Sequence, residues 1–251
     1  MYYNRVLIKD DARRQLKVGM GGAILVSLIA LLLSDTIGTD FVNFLYKQKD
    51  SDMEWLCQLA LTLLPFVPII AVGSVLYIAL VGNVIDTGKQ GWYLRYGRGE
   101  YPSVGELFAG FRIYTPCMLT NLLRGLFVFL WSLLFIIPGI VMGYAYSMAG
   151  YVIYENPNLS PSRALQISKT MTAGYKGELF VFELSYFGWH LLSALTLGLV
   201  GILYVNPYYD AAHAGVYETL RADALRRGVL RPEDFGMPPA PPDAPAPPPV
   251  Y

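Results

Sequence analysis

The chain has 251 residues, of which 54% are hydrophobic and only 15% charged, and its 19 basic and 19 acidic residues cancel. A soluble domain carries nearer a quarter of charged residues to cover its surface, and a nucleic-acid binder needs a basic surplus to neutralise phosphates. The composition argues against both, and the clustering of the charges into short segments between long charge-free windows points to membrane-spanning helices.

Asp10 or Asp11 is placed to cap a short amphipathic helix over 12–17, which leads directly into a first span over 18–34. Arg13, Arg14 and Lys17 followed by an apolar run imitate a signal peptide, but Ser34-Asp35-Thr36 offers no small-x-small cleavage site. The run therefore reads as a retained anchor. A polar loop follows over 35–54, and the apolar stretch 55–64 reads as interfacial or as an extension of the next helix. Pro65 and Pro68 then precede a second span over 66–85.

Residues 86–116 are the longest polar stretch within the membrane region. Ser103 and Glu106 have capping-box spacing, and Val104, Leu107, Phe108 and Phe111 fall on one helical face. The pattern predicts an amphipathic helix lying on the membrane surface.

Between Cys117 and Tyr154 the chain is almost unbroken hydrocarbon, long enough as helix to cross a bilayer twice. Pro138-Gly139 interrupts it near the middle, where proline removes a backbone donor and glycine frees the chain to reverse. The pattern predicts a tight hairpin of two spans, 118–136 and 138–154. Ser160 and Pro161 supply a cap and a first helical residue for a second surface helix. The apolar run 179–205, interrupted at Thr196-Leu197-Gly198, predicts two further spans over 178–194 and 196–214. Residues 232–251 are rich in proline and read as a disordered tail, leaving 1–231 as one membrane domain.

The threading follows from the basic residues. Six spans with both ends in the cytoplasm put 16 of the 19 Arg and Lys residues inside, as the positive-inside rule requires. The fold class expected is an all-α, polytopic transmembrane bundle of about six spans in three hairpins, with short interfacial helices. A faint internal echo pairs Ala109-Gly110-Phe111-Arg112 with Ala173-Gly174-Tyr175-Lys176, and Trp131 through Leu134 with Trp189 through Leu192.

A series of short motifs runs through the second half. Phe108 to Phe111, Leu134 to Ile140 and Tyr144 to Met148 are followed by Glu155-Asn156-Pro157, Ser160, Ala164-Leu165 and Ser168. Gly174-Tyr175-Lys176, Leu179-Phe180, Leu184-Ser185, Gly188-Trp189, Thr196 with Gly198, and Pro207-Tyr208 complete it. Together they resemble the uncharacterised bacterial integral membrane family called domain of unknown function 975, over about 100–220 and loosely over 10–35. The resemblance implies a bacterial plasma-membrane protein and brings no activity, cofactor or catalytic residue with it.

Candidate functional residues are the polar ones inside spans, where an ionisable group must be paired or hydrated. Asn121, Arg124, Glu183 and His190 form that set. Arg124 and Glu183 enter from the same side and can meet at similar depth. Gly139, Gly143 and Ser147 make a small-residue stripe suited to close helix packing, and Pro138 and Gly198 mark the two turns. Tyr144, Tyr146, Tyr151, Tyr154, Tyr204, Tyr208 and Tyr209 read as an aromatic belt. Gly82 to Lys89 fails the phosphate-loop spacing, and Asn158-Leu159-Ser160 is a chance glycosylation match in a cytoplasmic segment. Cys57 and Cys117 have no metal-ligand spacing and lie near opposite faces. No catalytic, cofactor or metal motif appears.

Three functions follow in order of weight. The first is a non-enzymatic scaffold or accessory subunit that binds a membrane-protein partner or a second copy, with the tail docking a cytoplasmic partner. The second is a small permease or channel. The third is a lipid-handling enzyme using Asp86, Glu155 and Asp210. The partners expected are the lipid bilayer and protein, and no nucleic acid.

Overall fold

The computed structural model describes Lys9 and residues 64–238. The first span, the helix over 12–17, the loop 35–54, Cys57 and residues 239–251 lie outside the described residues. Every regular element among those described is helical.

A short 3-10 turn, Leu64–Phe66, leads into α1, Val67–Gly97. Pro68 sits in the first turn of α1, where its missing N–H leaves no bond unmade. A π-turn at Ile78–Gly82 interrupts the α-helical ladder, but the helix continues through the polar residues 86–97. It ends where Gly99 takes φ +81, with the Gly99 N–H donating to Tyr96 and the Glu100 N–H to Arg95. That pair of bonds is a Schellman stop, which glycine accommodates without strain.

The next segment, Val104–Ile113, is 3-10 throughout. Ser103 makes no side-chain cap, and Glu106 lies beside Arg95 and Arg112, 3.6 and 3.8 Å away. The capping box expected there is thus not formed, because Glu106 is drawn to guanidinium partners instead. The segment crosses α1 backbone to backbone. A Cβ on Gly88 would lie 1.9 Å from the Leu107 carbonyl oxygen, and one on Gly110 2.1 Å from that of Val84. Two glycines let the chains approach closer than any side chain permits, and Leu107 is buried between them.

From there α2, Tyr114–Leu134, runs to a reversal at Phe135, whose backbone alone is extended, and α3, Ile136–Ala145, returns. The break falls three residues before Pro138. Pro138 lies in the first turn of α3 and starts that helix rather than breaking one. Gly139 lets α3 lie against α2, since a Cβ there would meet Ser132 Oγ at 2.0 Å and its Cα at 2.8 Å. A short turn joins α3 to α4, Ala149–Glu155. Then α5, Pro161–Met171, begins with Ser160 Oγ accepting from the Arg163 N–H at 3.3 Å. The cap and Pro161 are as read from sequence. The helix also buries Ala164, Leu165, Ile167, Ser168 and Met171, so one face belongs to the core.

After α6, Lys176–Leu195, the chain turns through Thr196, Leu197 and Gly198 into a π-turn, Gly201–Val205, and α7, Asn206–Arg226. Leu197 adopts φ +53 and Gly198 φ +85. The Gly198 N–H donates to Ser193 at 2.8 Å and the Leu197 N–H to Ala194 at 3.3 Å, a second Schellman stop with leucine in the left-handed position.

Burial changes along each long helix in the same sense. The start of α1, the end of α2, the start of α3 and the end of α6 are exposed and apolar. The end of α1, α4, α5 and most of α7 form the packed core. Both hairpin tips are apolar as well: Phe135, Ile136 and Leu197 are 70%, 76% and 85% exposed. Such continuous bare hydrocarbon is untenable in water, and it is what a bilayer requires. Three described helical stretches, Val67–Gly97, Val104–Leu134 and Ile136–Glu155, are long and apolar enough to cross a membrane. The expected spans over 178–194 and 196–214 are helical apart from their joining turn, though neither is among those three.

The tyrosines expected to form a belt do something else. Tyr151 and Tyr208 are fully buried and Tyr146 nearly so. Tyr151 stacks on Tyr217 at 4.8 Å, and Tyr186 packs against Tyr208 and Tyr209. They fill the core because the facing positions on α5 and α7 are small: Ala164, Ala211, Ala212 and Ala214.

Order continues past residue 231. Pro232–Phe235 forms a 3-10 turn that buries Phe235, and Gly236 lies against the Glu155 carbonyl. Arg163 holds Asp234 at 2.8 Å, and Asn156 donates to the Glu233 carbonyl at 3.0 Å. Beneath this latch the nearly buried Glu155 takes Arg98, Arg221 and the Tyr217 hydroxyl. Burial, with the Glu155 carboxylate beside it, pushes the Tyr217 hydroxyl well above its ordinary value. Burial would also raise Asp223, but the Tyr175 hydroxyl at 2.8 Å and the Arg226 and Arg227 guanidinium groups outweigh it. Its carboxyl is held below the usual range.

Candidate functional site: a charged cavity among the helices

Where α1, α2, α3, α6 and α7 come together they leave a cavity of about 390 Å³. Its walls mix polar and apolar surface and carry several charged side chains, although the helices that build it are largely apolar outside. Asp86, Lys89 and Gln90 come from α1, at the i, i+3 and i+4 spacing that puts all three on one face. Arg124 comes from α2, Gly143 and Tyr144 from α3, and Ser147 from the turn that follows. Tyr151 of α4, Glu183 of α6, and Tyr209, Asp210 and His213 of α7 close it.

Three of the charges are tied together. Lys89 Nζ lies 3.2 Å from Asp86 and 3.2 Å from Asp210, bridging α1 to α7. Gln90 Nε2 donates to Asp86 at 2.9 Å. Glu183 accepts from the Tyr209 hydroxyl at 2.7 Å, and the Tyr151 hydroxyl lies 3.1 Å from His213 Nδ1. Arg124 has no carboxylate within 4.0 Å among the described residues, although it lines the same space.

The four polar span residues divide. Arg124 and Glu183 both reach the cavity, but they do not form an ion pair. Asn121 lies at the α1–α2 contact, where its amide donates to Thr87 Oγ1 at 3.1 Å and to the Cys117 carbonyl at 3.1 Å. His190 is exposed and touches Tyr209 edge to face at 5.9 Å. In the small-residue stripe, Gly139 packs while Gly143 and Ser147 face the cavity; Gly198 serves the second turn.

Lys89 and His213 were not singled out from the sequence, and Asp86 and Asp210 were named only for lipid chemistry. Residues 86–116 read as a polar stretch beyond the second span, yet no proline interrupts α1 after Pro68, and Asp86 and Lys89 share a helical face. Asp210 and His213 repeat that spacing on α7, flanked by Ala211, Ala212, Ala214 and Gly215. Paired charges at i and i+3 among small residues were the available signal. Of the carboxylates considered for lipid chemistry, Asp86 and Asp210 share the cavity, whereas Glu155 belongs to the latch. Among the described residues no three of His, Cys, Asp and Glu gather closely enough to hold a metal ion.

Residues 134–224 match the family model described as protein of unknown function, DUF975. The match runs from the tip of the α2–α3 hairpin through most of α7, a shorter stretch than the motifs suggested. Within the matched segment lie Glu183, Asp210 and His213, while Asp86, Lys89 and Arg124 precede it. No curated protein and no solved structure matches the chain.

Proposed function

We propose that this protein binds a small polar solute inside its helix bundle and acts as a permease. The observation that carries the reading is the charged cavity. Burying an ion costs several kcal/mol that apolar packing would avoid, so a bundle serving only as a scaffold gains nothing from five charged residues around an open space. Its volume suits a small molecule. Arg124 lies ten residues before Leu134, about 15 Å along the helix, and Glu183 twelve residues before Leu195, about 18 Å. Those depths are near the middle of a hydrocarbon core of about 30 Å, where transporters hold their substrates. The setting proposed is a bacterial plasma membrane crossed about six times, with both termini in the cytoplasm.

Gly143 offers the test. It lines the cavity, and a Cβ there meets nothing within 4 Å, so Gly143→Phe projects a ring into the space without displacing backbone. Comparing solute pools in cells with and without the protein identifies the solute, and vesicle uptake then compares wild type with the variant. Loss of uptake with an unchanged melting temperature supports the permease. Equal pools and equal uptake in all three would return the scaffold to first place.

A further inference from the structure

The pairing of charges within the cavity says more about what fills it. Asp86 and Asp210 share the Lys89 ammonium, so each of the three has a partner of opposite sign in contact, with one negative charge in surplus. Arg124 and Glu183 are the two remaining charges, one of each sign, and neither has an oppositely charged group within 4.0 Å among the described residues. They share one space without closing on each other. Among the described residues Glu183 accepts one side-chain hydrogen bond, from the Tyr209 hydroxyl on Oε1. A guanidinium offers five N–H donors in a planar fork suited to a carboxylate, and a carboxylate oxygen suits an ammonium group.

We propose that the solute is a zwitterion of the amino-acid type, with its carboxylate on Arg124 and its ammonium group on Glu183. A simple anion would satisfy Arg124 and leave Glu183 with no cation in contact among the described residues. A simple cation would do the reverse. A molecule carrying both charges answers both residues and brings no net charge into the membrane, where unpaired charge is most costly. This rests on the cavity being a binding site, as proposed above.

The experiment uses the full chain purified in detergent and follows melting through tryptophan fluorescence. The probes are the common L-amino acids and glycine betaine, with propionate, ethylamine and glucose as single-charge and neutral comparisons. A ligand that binds the folded state raises the melting temperature in a saturable way. At least one zwitterion is expected to do so, while propionate, ethylamine and glucose do not. Arg124→Gln and Glu183→Gln are each expected to weaken that response tenfold or more. Arg124→Lys, which keeps the charge but not the fork, retains part of it and separates recognition from misfolding. Lys176→Gln, at the start of α6 and outside the cavity, leaves it unchanged.

A response to propionate that Arg124→Gln removes and Glu183→Gln spares would overturn the zwitterion, as would a panel with no response at all. The cavity reading falls separately: it survives either result if Gly143→Phe still abolishes uptake of some other solute, and it fails if the plugged protein behaves as wild type.

Discussion

Gly88→Ala is the most direct probe of how the charged face of α1 is held in place. The added methyl would lie 1.9 Å from the Leu107 carbonyl oxygen and 2.8 Å from its carbon. Carbon–oxygen contacts ordinarily begin near about 3.3 Å, so the two backbones must separate by roughly 1.4 Å. Neither can do so by turning a side chain, and Gly110 holds the same crossing tight against Val84. Overpacking costs about 1–3 kcal/mol, and a clash of two backbones belongs at the upper end. Alanine's better helix propensity returns about 1 kcal/mol. The net is a destabilisation of about 2 kcal/mol, or a fall of roughly 4–8 °C in melting temperature for a chain of this size. Gly125→Ala on α2 is the matched control, because a Cβ there meets nothing within 4 Å. It is expected to melt level with wild type or slightly above. The assay is thermal unfolding of both proteins in the same detergent. A Gly88→Ala protein as stable as Gly125→Ala would refute the close crossing, and with it the placement of Asp86 and Lys89 on the cavity wall.

The remaining predictions concern the packed end and the tips. Asp223 has a lowered folded pKa, so its contribution is complete above its unfolded value near about 4 and is lost as pH falls through the folded one. Melting temperature should drop over that acidic window in wild type and less steeply in Asp223→Asn; parallel profiles would rule the assignment out. Phe235→Ala empties a buried site, a change costing about 3–5 kcal/mol in a protein core. A glutamate-specific endoproteinase should cut after Glu233, within the latch turn, at least tenfold faster in that variant, whereas an unchanged rate would mean that the latch does not depend on the ring. Leu197 is exposed in a left-handed conformation that costs an L-residue about 1–2 kcal/mol. Leu197→Gly relieves that strain but gives back about 0.5–1 kcal/mol in backbone entropy, so at about 2–4 °C per kcal/mol it should raise the melting temperature by roughly 1–4 °C, and a fall would contradict the turn geometry.

Apolar run length and periodicity read the helices well where their side chains are exposed and apolar. The apolar faces of α2, α3 and α6 are continuous, and no residue within them competes with that signal. The same reasoning failed where α1 enters the core. There the surroundings are protein, and polarity no longer marks the end of a helix. Residues 86–97 read as lying beyond the second span because their partners, Asp210 of α7 and the crossing segment at 104–113, are distant in sequence. Pro138 misled by one turn, since proline is as well suited to beginning a helix as to breaking one. Of the polar set, Arg124 and Glu183 were legible as ionisable residues in apolar surroundings. Asn121 gave the same signal but serves a helix contact, a distinction that only three-dimensional neighbours make.

The latch has a consequence for how the molecule is made. Glu155 is nearly buried against Arg98, which is synthesised before it, and Arg221, which is synthesised after it. Phe235 then covers that site. While the ribosome is still adding α6, the carboxylate has only one of its three partners, and the segment that shields it does not yet exist. The packed end is therefore completed only after α7 and the turn at Pro232–Phe235 have emerged. Until then the growing chain carries an open acidic site. Truncations before Phe235 should accumulate at that stage, marked for degradation.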